Sequence, residues 1–570
     1  MSGGADLGRR ALLGLAAAGA VATRLAAADT PMPSAFGIRS PGTHDYRGAL
    51  AAIQAYGLAE LDATGLPGMT ISLAATDGFA ATLSLGWADL TTRQPVSPDQ
   101  LFEIGSISKS LTAFWLHGAA DKGRVDLGAP VSRYLPDLPL PAEPITLQQL
   151  LNHVGGLPDD VPFFSTVPGG RLWTGFAPGA RFSYSNIGYD LLGLVVDRIA
   201  GRPLPQVLAD EVLGPLGMVD AVGHIRTADR PRYATGYQPL LNDRPALTRT
   251  ALKEGPWTEE DGAAGAVAAS AAAMIGYLRY VIQLGQGKGG PLMSDRAAAA
   301  LLAAEVAAPA FGARARYASG LATQTIEGRR LLHHTGGMLM FSSSFHVDAA
   351  AGVGAFASVN GHLQDYRPRR VTSYAVAALR AARAGRPAPA LPDPTMLRIR
   401  DPRRFAGRWQ AADGEGLDLL PTPGGLALVA DGERGRLEAI SDRSLATDLP
   451  SRSLHQLDFE PARGTPTRLW WGSTMFTRGR APADLPPTPA ALRALEGSYV
   501  ARDPWGASLL VFARGDRLWA EPLGEVVERP GGYWSVPDDK GGVDRLWFEA
   551  PIAGRPSRVN FNGFLAERIT

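Results

Sequence analysis

Ser106 and Lys109 stand three positions apart in the stretch FEIGSISKSLTAF (Phe102 to Phe114), a spacing that puts both side chains on one face of a helix. The chain has 56 Lys+Arg, but its lysines are only Lys109, Lys122, Lys253, Lys288 and Lys540. Four of them lie in polar or turn-like contexts, whereas Lys109 is surrounded in sequence by Phe102, Ile104, Ile107, Leu111 and Phe114. A serine hydroxyl is a poor nucleophile unless a neighbour takes its proton. A lysine desolvated at a helix start is partly neutral, because burial and the positive helix end both disfavour its charge, so it can be that neighbour. The same helix start offers the Ser106 N–H to an oxyanion. Alone the pair is a weak signal, since S-x-x-K arises often by chance and Ser106 could simply cap a helix.

Two more clusters follow in order. Tyr184-Ser185-Asn186 opens a helix-like run. A tyrosine beside a cationic lysine is expected to have a lowered pKa and to pass a proton to the leaving group, while Asn186 bonds Lys109 and the substrate. The plain alternative is a helix cap with a packed aromatic. The third cluster, His334-Thr335-Gly336-Gly337, lies on a strand-like run. A strand beside the nucleophile can pair with an extended substrate, its glycines permit close backbone approach, and the Gly337 N–H becomes the second oxyanion donor. Strand alternation sends His333 and His334 to opposite faces, so His334 alone is expected in the site.

The elements that must position these groups are legible around them. GMTISLAA (Gly68 to Ala75) and FAATLSLGWADL (Phe79 to Leu90) read as a hairpin turning at Asp77-Gly78. Leu111 to Gly123 and Ile187 to Gly201 read as helices closed by glycine. Leu331 to Gly337, FSSSFHVD and GVGAFASVN read as successive strands, and Ser373 to Gly385 as a closing helix. Strands at both ends with helices between predict an α/β (α+β) sandwich whose mixed or antiparallel sheet is completed from both ends of the segment.

The order of the three clusters resembles the serine β-lactamase and penicillin-binding-protein superfamily, in particular its class C-like, D-aminopeptidase and esterase branch. S-x-x-K stands as Ser106-Ile107-Ser108-Lys109, Y-x-N as Tyr184-Ser185-Asn186 and the third box as His334-Thr335-Gly336. VDLGAPVSRYLPDL, LLNHVGGLP and VLGPLGM also look like this family, and the resemblance covers roughly residues 47 to 380. It implies acyl transfer by Ser106, Lys109 and Tyr184, with Asn186, His334, Thr335 and Gly336 supporting the substrate and the Ser106 and Gly337 N–H groups as the oxyanion hole. It implies no metal and no organic cofactor. His334 departs from the lysine usual there, exchanging a permanent charge for a group titrating near neutrality, which weighs against a substrate carboxylate. LLNHVGGLP also lacks the hydroxyls usual in that segment.

Within 570 residues the sequence divides into an export signal (1–28, twin-arginine-like), a catalytic domain (29–385), a linker (386–400), a first β-barrel (401–480), a second linker (481–491) and a second β-barrel (492–570). The signal rests on Arg9-Arg10, the apolar Ala11 to Ala22 and the small residues to Ala28, and it implies a periplasmic or secreted protein. GRPAPALPDP (Gly385 to Pro394) and RAPADLPPTPAA (Arg480 to Ala491) are the Pro/Ala linkers. The barrels read as repeats in one register of ninety residues, pairing Phe405 with Leu495, Trp409 with Tyr499, Gly425 with Gly515, Leu428 with Leu518 and Arg478 with Arg568. They read as walls, lids or docking surfaces, and Trp470-Trp471 as barrel core.

A net charge of +1 leaves no footprint for nucleic acid, and no run is long enough to span a membrane. The absence of cysteine removes thiol nucleophiles and disulfides, and no serine sits in a G-x-S-x-G elbow. The expected function is hydrolysis of amide bonds in small peptides, those with D- or non-standard residues included. The alternatives are a carboxylesterase, a β-lactamase, or a binding protein on a decayed scaffold. The partner is a small-molecule or short-peptide substrate, and the oligomeric state is left open.

Overall fold

Along Gly68–Ala75 (β2), Met69, Ile71, Leu73 and Ala75 alternate with Thr70, Ser72 and Ala74. The first set enters one apolar core, and Ser72 turns to the opposite face, where its hydroxyl donates to the Ala271 carbonyl at 2.7 Å. That alternation builds a sheet covered on both faces. The computed structural model describes residues 31–162, 166–363, 366–394, 399, 401–479 and 486–569. The expected signal, 1–28, lies outside them, as do parts of both expected linkers.

The sheet joins β1 (Ser34–Ser40), β2, β3 (Ala80–Asp89), β4 (Val306–Ala307), β5 (Arg316–Ala318), β6 (Leu321–Ile326), β7 (Arg329–Gly337), β8 (Ser342–Asp348) and β9 (Val353–Val359). Their order is β1-β3-β2-β9-β8-β7-β6-β5-β4, with Gln94–Pro95 added beside β3, and the pairings are antiparallel. The two ends of the segment meet where β2 pairs with β9, as the sandwich reading requires. Helices α1 (Arg47–Thr64) and α5 (Arg369–Arg383) cover one face around Ile53, Tyr56, Val371 and Leu379. The other face carries α2 (Ser108–Asp121), α3 (Asn186–Ala200) and α4 (Ala271–Gly285) around Phe114, Leu192, Tyr277 and Phe345. Helix α2 begins three residues before the expected Leu111, because a 3-10 turn at Gly105–Ile107 runs straight into it.

Two closed eight-stranded antiparallel barrels follow, from Gly407–Ala411 to Thr474–Arg478 and from Gly497–Ala501 to Phe564–Arg568. Their ends keep the ninety-residue register: Arg478 pairs with Trp409 and Arg568 with Tyr499, each guanidinium lying over that ring. Between those ends the single register fails. Trp409 faces Leu417 and Leu419 faces Leu428, whereas Tyr499 faces Leu509 and Val511 faces Ala520. Leu428 therefore corresponds to Ala520 and not to Leu518, because the loop 502–508 is two residues longer than its counterpart 412–416. Trp470 is buried, with Arg514 over its ring and Arg514 paired to Asp458 at 2.9 Å, so it sits where the barrels meet.

Candidate active site

Ser106 sits in the 3-10 turn that feeds α2, so its amide is one of the first-turn N–H groups without an intrahelical acceptor. The turn is pressed against the end of β7. Gly105 has φ +53, and a Cβ there would lie 2.7 Å from the Gly337 nitrogen; a Cβ on Gly336 would lie 1.9 Å from the Ile104 carbonyl oxygen. Only glycine fits at these two positions. Met338 N–H donates to the Phe341 carbonyl at 2.9 Å, and antiparallel alternation then turns the Gly337 N–H and the Thr335 carbonyl away from β8. On that side β6 has already ended, its last pair being Ala322 with His333. Among the described residues the Gly337 amide is thus left unpaired in the ladder, beside the turn that holds Ser106.

Lys109 is fully buried on the first turn of α2. Its Nζ reaches Asn186 Oδ1 at 2.5 Å, the Ala264 carbonyl at 2.7 Å and Ser106 Oγ at 3.1 Å. Asn186 is oriented by its own Nδ2, which donates to Asp160 Oδ2 at 3.1 Å, so its oxygen faces the lysine. Two of the three neighbours are acceptors only. All three bonds run from Nζ as donor, and since the other two neighbours can only accept, it is the Ser106 hydroxyl that the lone pair faces once the amine has lost a proton. Burial pulls the Lys109 pKa down, against the opposing pull of Asp190, Asp159 and Asp160.

The Tyr184 ring lies 4.9 Å from Lys109 Nζ, and its hydroxyl bonds Ser106. The expected lowering of its pKa does not occur. Burial drives the phenol well above 10, the Ser106 bond offsets this only in part, and Asp159 and Asp160 add to the rise. Tyr184 is therefore a protonated donor in the resting site.

His334 also differs from expectation. It is 1% exposed, and burial holds its pKa down at about 3, so it does not titrate near neutrality. A hydrogen-bond chain fixes its tautomer. Ser185 N–H donates to His153 Nδ1 at 3.1 Å, which leaves the His153 proton on Nε2, 3.2 Å from the Tyr317 hydroxyl. Tyr317 then donates to His334 Nε2 at 3.1 Å, and His334 Nδ1–H donates to the Thr335 carbonyl at 2.6 Å. Both ring nitrogens of His334 are occupied, and Thr335 enters the arrangement through its backbone. His333 turns to the α5 face, as alternation requires, and stacks on His346 at 5.3 Å.

Several neighbours of the site were not singled out by sequence. Asp159 and Asp160 follow LLNHVGGLP, which also holds His153, and Asp190 lies one turn after Asn186 on α3. Burial raises the carboxyl pKa of Asp159, Asp160 and Asp190. The second barrel completes this cluster. Asp159 N–H donates to Asp544 Oδ1 at 3.2 Å, and Asn562 Nδ2 holds the same oxygen at 2.7 Å. Trp505, on the longer loop 502–508, donates from Nε1 to Glu260 Oε1 at 2.6 Å. Trp173 Nε1 anchors the barrel through the Gly542 and Val543 carbonyls at 3.1 and 2.8 Å. The doubled acid after Pro158 was the only sequence signal for any of this.

Comparison with known proteins gives the wider setting. Residues 53–379 match the family model described as Beta-lactamase. A beta-lactamase of Providencia stuartii is 30% identical over 30% of this chain and 46% of that protein. Protein flp of Staphylococcus aureus is 29% identical over 32% of this chain and 40% of that protein. The chain thus spans less than half the length of these two curated relatives. The solved structure of an octameric penicillin-binding protein homologue from Pyrococcus abyssi aligns with TM-score 0.54 at 20% identity, covering 75% of this chain and all of that one, which is a likeness of fold.

Proposed function

The chain belongs to the beta-lactamase family, and from that premise we propose that it is a serine hydrolase cleaving amide bonds of small peptides that carry a free amino group. Ser106 is the nucleophile, and its proton passes to Lys109 as Oγ bonds the substrate carbonyl carbon. The oxyanion lies between the Ser106 and Gly337 N–H groups. Tyr184, a phenol, gives its proton to the leaving amine and regains one from Lys109. Water then cleaves the acyl-enzyme along the reverse path.

One observation carries the substrate class: Asp159, Asp160 and Asp190 crowd beside Lys109 and Asn186, and the second barrel adds Asp544 to them. Carboxyls whose protons are held by burial ionise when an ammonium group arrives, so the cluster favours a substrate amine. His334, neutral and occupied, supplies no cation for a substrate carboxylate. The test is parallel turnover of a short peptide p-nitroanilide, its N-acetylated form and a short-chain p-nitrophenyl ester, with fluorophosphonate labelling of wild type and Ser106→Ala. Preference for the free amine and labelling lost in Ser106→Ala are expected. Equal use of the acetylated form would overturn recognition of the free amine, and ester turnover faster by orders of magnitude would replace this reading with that of an esterase.

Export is part of the proposal, supported by Arg9-Arg10 and the apolar run after them. Cell fractionation that leaves the full-length protein in the cytoplasm would remove it.

A further inference from the structure

Behind the turn that joins β7 to β8 lies a cavity of about 100 Å³, walled by Glu103, Tyr233, Trp257, Met340 and Phe341. Its walls continue the two segments that carry the oxyanion amides: Glu103 precedes Ser106 by three residues, and Leu339, also in the lining, follows Gly337 by two. The short strand Phe102–Glu103 is pinned to Ala268–Ala269, and the Ile104 N–H donates to the Val267 carbonyl at 3.0 Å. The cavity is therefore tied rigidly to the nucleophile's turn.

Two polar groups in this wall lack partners among the described residues. Glu103 is 9% exposed with no hydrogen bond or cation to balance its carboxyl, and burial together with nearby Glu260 pushes its pKa up to about 8. Tyr233 is 6% exposed, and its hydroxyl bonds to nothing. Glu103 and Tyr233 line the same cavity, and a charge on Glu103 would raise the Tyr233 pKa. A buried carboxyl and a buried hydroxyl left unmatched are unfavourable unless a ligand supplies the missing bonds. The aromatic side of the cavity already accommodates a cation. Tyr233 and Trp257 meet edge to face at 5.1 Å, and the Arg230 guanidinium rests 5.4 Å from the Trp257 ring. Arg230 is paired with Glu254 at 2.7 Å, so it leaves Glu103 unanswered.

We infer that this cavity is a side-chain pocket of the active site and takes a primary ammonium group borne on a short alkyl chain of the substrate. An ammonium offers three donors in a compact head, matching the Glu103 carboxylate and the Tyr233 oxygen, while the rings face its methylenes. On arrival of the ammonium the Glu103 proton leaves to solvent, and charge balance is restored. The inference rests on the proposed hydrolase reading for its role in turnover, but the pocket can be tested without turnover.

The test is calorimetric titration of full-length Ser106→Ala with lysinamide and with norleucinamide, which differ only in the terminal ammonium. Lysinamide is expected to bind about tenfold more tightly or better. Adding Glu103→Gln should bring the two ligands within about threefold of each other, and adding Tyr233→Phe should reduce the difference by a smaller factor. Thermal unfolding of each variant reports folding, and Tyr233→Phe keeps the test decisive should Glu103→Gln not fold. Equal binding by Ser106→Ala, or a preference that survives Glu103→Gln, overturns the pocket. Selective binding in a protein whose wild type neither hydrolyses peptides nor takes the fluorophosphonate overturns the hydrolase reading and leaves the pocket standing.

Discussion

Tyr317→Phe removes one oxygen and keeps a ring that packs against Phe311 at 5.2 Å and Phe182 at 5.6 Å. That oxygen accepts from His153 and donates to His334, so its loss strands two buried ring nitrogens. At about 1–3 kcal/mol for each unsatisfied group, the substitution should destabilise the fold by about 2–6 kcal/mol, less if a water fills the space. Urea unfolding at pH 7.5 measures this directly.

The pH dependence separates the relay from ordinary packing. His334 is depressed from 6.5 to about 3 in the folded state, so the unfolded chain binds the proton first. Stability is complete above pH 6.5 and falls as the pH drops toward 3, by about 5 kcal/mol from this group. Without the Tyr317 donor the neutral imidazole loses a bond that favours it, and the folded pKa rises. The loss between pH 6.5 and 3 should therefore be shallower in Tyr317→Phe than in wild type. A penalty under about 0.5 kcal/mol with an unchanged slope would show that the chain from Ser185 to Thr335 is not built as described.

Lys109→Met should lower the rate of acylation by about 10²–10⁴-fold while the unfolding midpoint holds or rises, since a desolvated amine is exchanged for an apolar side chain of similar volume; a fall in stability with acylation intact would reverse its assignment. Trp505→Ala should raise KM for amine-bearing peptides about three- to tenfold by releasing Glu260 and the loop 502–508, with the smaller effect on kcat; steady-state kinetics on a free and an acetylated peptide read it, and no change in either would detach this loop from the site. His117 and His333, both buried and depressed by that burial from 6.5 to about 4, each add about 3 kcal/mol to the stability lost as the pH falls from 6.5 to 4; urea midpoints equal at pH 7.5 and 4.5 would contradict this.

The strands β2, β7 and β9, the helices α2 and α3 and the closed barrels were legible because each rests on local periodicity and on glycine at its ends. The meeting of Ser106, Lys109 and Asn186 was also legible, because spacing on one helix and a cap on the next fix it. What sequence misjudged was electrostatic sign. The pKa of Tyr184 is set chiefly by burial, and Asp159 and Asp160, brought in by another loop, raise it further. The neutrality of His334 likewise depends on Tyr317 and His153, which only the fold brings to its two sides. Asp544 stands 385 positions from Asp159, beyond any pattern of spacing.

The break in the barrel register has the same origin. Both copies share one topology, yet they dock on different parts of the catalytic domain. The first copy holds the loop around Thr248: Glu438 accepts from the Thr248 amide and hydroxyl at 2.8 and 2.6 Å, and Ser453 accepts from Arg244 at 3.0 Å. The second copy meets the cleft itself through Asp544, Trp505 and the contacts of Trp173. A repeat under a common packing constraint keeps its strands and the residues that fill them, as Arg478 and Arg568 do over Trp409 and Tyr499. Loop length is free to diverge where a copy must reach something its twin does not. The two additional residues fall in 502–508, the loop that carries Trp505 to Glu260, so the register fails at a place where the barrel touches the site.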